Sequence, residues 1–410
     1  MVKFPIFNWR WLMPKPRLNA KLLRRIFVAA SIRRWNDQAC PVEFVELDKQ
    51  AHKMVIAYLL ARYEEQEKGI CIDWEKLIKY FCFEFFSRVV LTDIKPPVFH
   101  QLQKHHQNEL ARYVMGEMQE ELKGYGFIEE MHDYLRSPQV GLEVEILRAS
   151  HYYASKWEFD IIYHFNPHMY DVENIKKIID EEVEEHYHLC GIQKIVMFKN
   201  VRELVTMFGQ LRFQKRWSQT PRVPATSVLG HTLFVAISAY LLSLDIKACK
   251  QMRINHFLCG LFHDLPEILT RDIISPIKRS VMGLDEHIKK IEEDAVKNKI
   301  LSIVPSNIAE DIVYFTQNEF SNRYKIECFT RVAQSGEELM ENFNYDTYSP
   351  VYGEFLKICD QLSAFLEAKI SISHGISSIE LCQGAENLLE KCKLYVVNGI
   401  DVGAIFRDFD

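Results

Sequence analysis

No uninterrupted apolar stretch in the 410 residues approaches the ~20 needed to cross a bilayer, and the first 36 residues lack the hydrophobic segment of a secretory leader. These absences point to a soluble, cytoplasmic protein. The ten cysteines (40, 71, 82, 190, 249, 259, 328, 359, 382 and 392) contain no C-x-x-C pair, which removes the commonest redox and zinc-ribbon spacings. Most lie in apolar runs such as Leu258-Cys259-Gly260-Leu261, the setting of reduced, buried thiols rather than of a disulfide framework. Acidic residues are missing from residues 1–36, where Lys3, Arg10, Lys15, Arg17, Lys21, Arg24, Arg25, Arg33 and Arg34 stand alone. With the whole chain at −6, the remainder carries about −15. This basic N-terminal arm reads as a transit segment, as a membrane-surface arm flanked by Trp9 and Trp11, or as a contact for an anionic partner. The plainer reading is an arm that packs on the domain and leaves its charges in water.

What is present is ordinary globular composition, 48% apolar and 26% charged, at a length that suits two domains. Helical spacing of apolar residues runs through Ile26–Arg34, His52–Glu64, Trp74–Val90, Glu143–Tyr163, Val172–His188, Val201–Phe213, His231–Leu244, Arg253–Leu261, Ile288–Ile303, Gly353–Ile370 and Ala385–Val396. Strict alternation is rare, so the expected fold class is all-α with two helical domains. Pro and Gly clusters at 94–98, 137–141, 165–168, 219–224, 275–276 and 349–353 read as loops. After the acidic run at 180–185 a junction near residue 200 divides the chain into a basic arm (1–36), a first helical domain (37–200) and a second (201–410). A constant offset of 179 lays His52 on His231, Ala57 on Ala236, Phe83 on Phe262 and Asp93-Ile94 on Asp272-Ile273. Duplication is one reading of these matches, and chance between apolar helical segments is the other.

The chemistry concentrates in the second half. His263-Asp264 follows the apolar run Phe257–Phe262, so an imidazole nitrogen and a carboxylate oxygen stand together at a helix end. His231 and Asp360 arrive from other helices. Asp360 interrupts the largely apolar Leu356–Phe365, where a carboxylate is costly to bury unless something positive meets it. One divalent transition metal, Mn²⁺, Co²⁺, Fe²⁺ or Zn²⁺, accepts such mixed N/O ligation. His186, His188 and Cys190 offer ligand types at short spacing too, but they end an acidic helix, where histidines are favourable in any case.

The run His263-Asp264-Leu265-Pro266-Glu267-Ile268-Leu269-Thr270-Arg271-Asp272-Ile273-Ile274-Ser275-Pro276-Ile277-Lys278 closely resembles the signature of the bacterial HD-domain 5′-nucleotidases. So do Arg216-Trp217, fourteen residues before His231, and Asp360-Gln361-Leu362-Ser363-Ala364-Phe365-Leu366. The resemblance, over roughly 208–370, implies an HD fold in which His231, His263, Asp264 and Asp360 bind one catalytic metal. It also implies a Glu267 beside the reacting phosphate that orients the attacking, metal-activated water or shuttles its proton. Arg216 and Lys278 would hold phosphate oxygens, or else be ordinary surface cations. Trp217 would shape the sugar pocket, or simply be a packed aromatic. Asp272 would accept from a sugar hydroxyl, or cap the turn before Pro276. Gly230 departs from the family, which usually has an acidic residue there, and this puts the support of His231 in question.

The activity so implied is removal of phosphate from nucleoside 5′-monophosphates or a similar small ester. The alternatives are an HD-type triphosphohydrolase or phosphodiesterase and a non-catalytic nucleotide sensor or scaffold. No G-Y-P triplet follows the His-Asp motif, which weighs against cyclic-dinucleotide hydrolysis. Under the 179 offset the first half reads as a degenerate, metal-free HD copy. His52 keeps the first ligand position, Glu84 and Phe85 replace His263 and Asp264, and Arg88 replaces Glu267. At an offset of 212, Arg148 replaces Asp360, where its guanidinium would occupy the charge site and could pair with Glu84. Such a copy would act as a built-in partner and leave the protein monomeric rather than dimeric.

Overall fold

The computed structural model describes residues 13–92, 94–271 and 281–409. Among them the regular elements are helices joined by turns and loops, except for one antiparallel hairpin, Arg323–Ile326 with Phe329–Val332, in which Arg323 faces Val332. Its strands are four residues long and the second is fully exposed, so no apolar alternation announces them.

Two helices organise the interior, one from each half. Val228–Asp245 is capped by Ser227, whose Oγ accepts from the Gly230 amide, and sixteen of its eighteen residues are buried. It is also the one described helix with the length and apolarity to cross a membrane, but 89% of that stretch lies inside the protein. Glu46–Lys68 is buried on nearly every side even though it carries Glu46, Asp48, Lys49, His52 and Lys53. Apolar residues all round a helix mean burial all round. Charges buried with them need partners, and Arg34 reaches Glu46 at 2.8 Å and Glu158 at 2.9 Å, while Arg212 reaches Glu158 at 2.7 Å.

Lys250–Phe262 lies antiparallel to Val228–Asp245, as the ring pairs Tyr240–Phe257 and His231–His263 show. The two backbones meet at Gly260, where a Cβ would fall 2.7 Å from the Ala236 Cα, so only glycine permits this approach. Gly353–Ser373 packs on Val228–Asp245 as well. The principal core is continuous across both halves, with Tyr58 against Phe262 (4.9 Å) and Phe81 against Phe257 (6.0 Å).

Three helical expectations shift. Residues 94–98, read as a loop, lead into the Pro96–Met118 helix, since proline is well placed in a first turn, where no amide partner is needed. Ile128–Arg136 is a further helix that the apolar spacing did not flag. Ile26–Arg34 gives way to Ala20–Phe27, capped by Asn19, followed by a single 3₁₀ turn. The arm does not leave all its charges in water. From residue 13 it packs on the domain, with Arg17 on Asp245 (2.6 Å), Arg25 on Glu121 (3.1 Å) and Arg34 buried. The ten cysteines are free thiols.

His256 is a buried neutral histidine of the core. Its Nε2 accepts from the Tyr352 amide at 3.0 Å, and its Nδ1 meets Ser243 Oγ at 2.7 Å. Burial, with Arg323 adding to it, pushes its pKa down to about 3. An imidazole with a depressed folded pKa stabilises fully above its unfolded value near ~6.5, and the contribution is lost as pH falls toward the folded value. Thermal melts should therefore show stability declining from about pH 6.5 downward, with a shallower decline in His256→Gln. Equal slopes for the two proteins would contradict this.

Candidate metal centre

His231 stands in the first turn of Val228–Asp245, His263 caps the end of Lys250–Phe262, and Asp264 follows it in the turn to Glu267–Thr270. One ligand atom each from His231, His263 and Asp264 lies within 4.8 Å of the others. Asp360, from Gly353–Ser373, adjoins them, with Oδ1 3.1 Å from His231 Nε2. The structure thus brings together all four residues expected as ligands.

The protons on the imidazoles are set by their outer nitrogens. His263 Nδ1 faces the Gly260 carbonyl at 2.9 Å, and since a carbonyl only accepts, Nδ1 carries the hydrogen and Nε2 presents a lone pair. His231 Nδ1 meets Ser363 Oγ at 2.9 Å. Both Nε2 atoms are buried, and although carboxylate oxygens stand close, neither has a partner in hydrogen-bonding geometry. Two buried, unsatisfied imidazole nitrogens aimed at carboxylates fit a cation between them. Burial, reinforced by Arg216, lowers the His231 pKa and favours the neutral form that a ligand must have. Burial would raise Asp360, but His231, Arg216 and His263 hold it well below the usual carboxylate range.

Beside the cluster, Arg216 places NH1 3.6 Å from Asp264 Oδ2 and Nε 3.4 Å from Glu367 Oε2. Burial opposes its charge, but Glu367, Asp360, Asp264 and Glu267 together raise its pKa. Trp217, in the left-handed region at φ 54°, donates through Nε1 to Glu367 Oε2 at 3.0 Å, and its ring packs near Ala368, Leu381 and Ala385. Glu267 opens its short helix, and its charge acts on Arg216. Asp272 and Lys278 lie outside the described residues.

Sequence reasoning missed Glu367. This buried carboxylate accepts from Thr226 Oγ1 (2.7 Å) and Trp217, and stands 3.8 Å from the Arg222 guanidinium. Burial raises its pKa, but Arg216 and Arg222 outweigh that and hold it low. Helical periodicity held the signal, because Asp360, Ser363 and Glu367 at i, i+3 and i+7 share one helix face.

Residues 208–389 match the model of a protein family described as HD domain. The C-terminal region is thus similar to HD domains and has an HD-domain-like fold. Among curated proteins the chain is 38% identical over 106 residues to a 5′-deoxynucleotidase of Photobacterium profundum, which covers 25% of this chain and 54% of that one. It is 30% identical over 118 residues to a 5′-deoxynucleotidase of Vibrio atlanticus, covering 28% and 60%. A 5′-deoxynucleotidase of Cronobacter sakazakii is 26% identical over 145 residues, covering 33% and 72%. The match to the first two spans a little over half of each relative's length. No solved structure matches. The C-terminal region is therefore similar to these nucleotidases at modest identity and over part of the chain.

In the first half His52 serves the core. Its Nε2 donates to the Val205 carbonyl at 2.9 Å, and its Nδ1 lies 3.4 Å from Arg212. The expected pair of Arg148 with Glu84 does not form. Arg148 is exposed, and Glu84 bonds instead to Lys53 and Tyr134, because Lys53 is buried one helical turn above Lys49 and needs an anion nearer than solvent. Among the other histidines, His105, His106, His164 and His168 are exposed.

Proposed function

We propose that the HD domain is a divalent-metal-dependent phosphomonoesterase acting on nucleoside 5′-monophosphates or a similar small phosphate ester. The observation that carries this reading is the convergence of two buried, unsatisfied imidazole Nε2 atoms with the Asp264 and Asp360 carboxylates, and a guanidinium beside them. A cation held there by His231, His263, Asp264 and Asp360 would lower the pKa of water and offset phosphate charge. The remaining work falls to side chains. Arg216, held from behind by Glu367, presents its fork to phosphate oxygens. Glu267, one turn beyond the ligand pair, orients the attacking water and takes or returns its proton. Trp217, fixed through its indole N–H, borders the sugar. The Gly260-permitted helix contact holds His231 and His263 at a set separation, so the ligands need little rearrangement. Asp272 and Lys278 keep the substrate roles that the resemblance implies, and the first half, as a degenerate copy, the role of internal partner.

The test is metal analysis of the purified protein, then a phosphate-release screen across nucleoside mono-, di- and triphosphates. Release from monophosphates supports the reading. Release confined to triphosphates favours a triphosphohydrolase, and nucleotide binding without turnover favours a sensor. Within the leading reading, Glu267→Ala should keep its metal and bind substrate yet lose roughly 10²–10⁴ in turnover, the usual worth of a general acid or base. Wild-type turnover in that variant would remove Glu267 from the chemistry.

A further inference from the structure

The His231 helix begins with an irregularity. Ser227 caps it, and the third residue after such a cap often bears an acid that completes a reciprocal pair. Here that residue is Gly230, and a Cβ on it would fall 2.6 Å from Oδ1 of Asp48, which belongs to the first half of the chain. The same Oδ1 accepts from Ser227 Oγ at 2.6 Å. Ser227 Oγ in turn accepts from the Gly230 amide at 2.9 Å, and the Ser227 carbonyl accepts from the His231 amide at 3.0 Å. A carboxylate from one half of the chain therefore fills the gap left by a glycine in the other, two bonds from the backbone of a metal ligand.

The arrangement repeats one turn along the same helix. His52 donates to the Val205 carbonyl, and a Cβ on Gly209 would fall 2.8 Å from His52 Cε1. Two buried polar groups at i and i+4 thus dock, on one helix face, against two glycines, one in the His231 helix and one in the segment that leads into it. Ordinary core packing would place apolar side chains there. A buried carboxylate, 2% exposed, is expensive unless its hydrogen bonds are specific.

We infer that Asp48 is a positioning residue for the metal centre, supplied by the first half of the chain, which sets the first turn of the His231 helix through Ser227 in the space that Gly230 leaves open. The first half is then part of the catalytic apparatus rather than a passenger. The inference rests on reading His231 as a metal ligand. Its physical cause is that imidazole direction follows the backbone of the first helical turn, and that turn has no acid of its own.

The experiment uses the full chain, with Mn²⁺ binding measured by calorimetry and apo-protein melting measured alongside. Asp48→Ala should weaken Mn²⁺ binding about tenfold, the lower end of what loss of a supporting partner costs. Asp48→Asn, which keeps an oxygen for Ser227, should stay within about twofold of wild type on the same scale. Gly230→Ala alone should lower the melting temperature because its Cβ meets Asp48, and the added Asp48→Ala should relieve part of that loss, so the pair is non-additive. Wild-type Mn²⁺ affinity in Asp48→Ala, or a loss in Asp48→Asn as large as in the alanine variant, overturns the positioning role. Additive melting shifts overturn the contact itself. If Asp48→Ala does not fold, the asparagine and Gly230 variants still decide. Wild-type protein that takes up none of Mn²⁺, Co²⁺, Fe²⁺ and Zn²⁺ refutes the metal centre instead, a result distinct from all of these.

Discussion

Asp264→Ala should purify without metal and release no phosphate above background from any substrate that wild type hydrolyses. Asp264 sets its carboxylate beside both imidazoles, with Oδ1 3.3 Å from His263 Nε2 and Oδ2 3.6 Å from His231 Nε2, where the proposed reading makes it a ligand. Losing a residue that merely supports a ligand costs up to about a hundredfold in metal affinity, so losing the ligand itself should cost at least that. Helical content should hardly change, because Asp264 is partly exposed and lies in a turn beyond the end of its helix. Far-ultraviolet circular dichroism and elemental analysis check both halves of this expectation. Metal stoichiometry equal to wild type would sink the proposed centre.

The largest stability effect is expected at Glu367. It gathers Thr226, Trp217, Arg216 and Arg222, and removing it leaves guanidinium groups in a largely enclosed space without their anion. Breaking a buried pair from one side costs about 3–5 kcal/mol, since the surviving charge keeps its desolvation penalty. For a chain of this length that is a fall of roughly 4–6 °C in Tm. Glu367→Gln should be milder, because an amide oxygen still accepts from the Thr226 hydroxyl. Arg216, no longer held at Nε, should turn toward Asp264, so turnover should fall together with stability. A melting temperature within about a degree of wild type for Glu367→Ala would show that the network is not structural. Wild-type turnover per folded molecule would separate it from the site.

How much of this was legible beforehand differs from residue to residue. That His231, His263, Asp264 and Asp360 would stand together could be read from the sequence, because ligand chemistry restricts the residue types and Asp360 is conspicuous in an apolar helix. Helices with strong apolar spacing, such as Trp74–Leu91 and Leu142–Phe165, were placed to within a residue or two. Pro96–Met118 was hidden by prolines that equally signal a loop, and the hairpin by the shortness of its strands. The pairing of Arg148 with Glu84 failed because alignment offsets fix position along a helix, whereas the direction of a side chain depends on what packs against it. In this case Lys53 was nearer.

The sequence by itself determined the all-α class, the identity of the candidate ligands and their order along the chain, because each follows from local periodicity or from side-chain chemistry. Only the tertiary structure decided which groups stand behind them. Ser363 behind His231, Glu367 behind Arg216 and Asp48 on Ser227 join residues 132, 151 and 179 positions apart, and packing geometry chooses the partners. Hydrogen bonds and ion pairs act over a few ångströms, so no pattern in the linear chain specifies them until the helices have met.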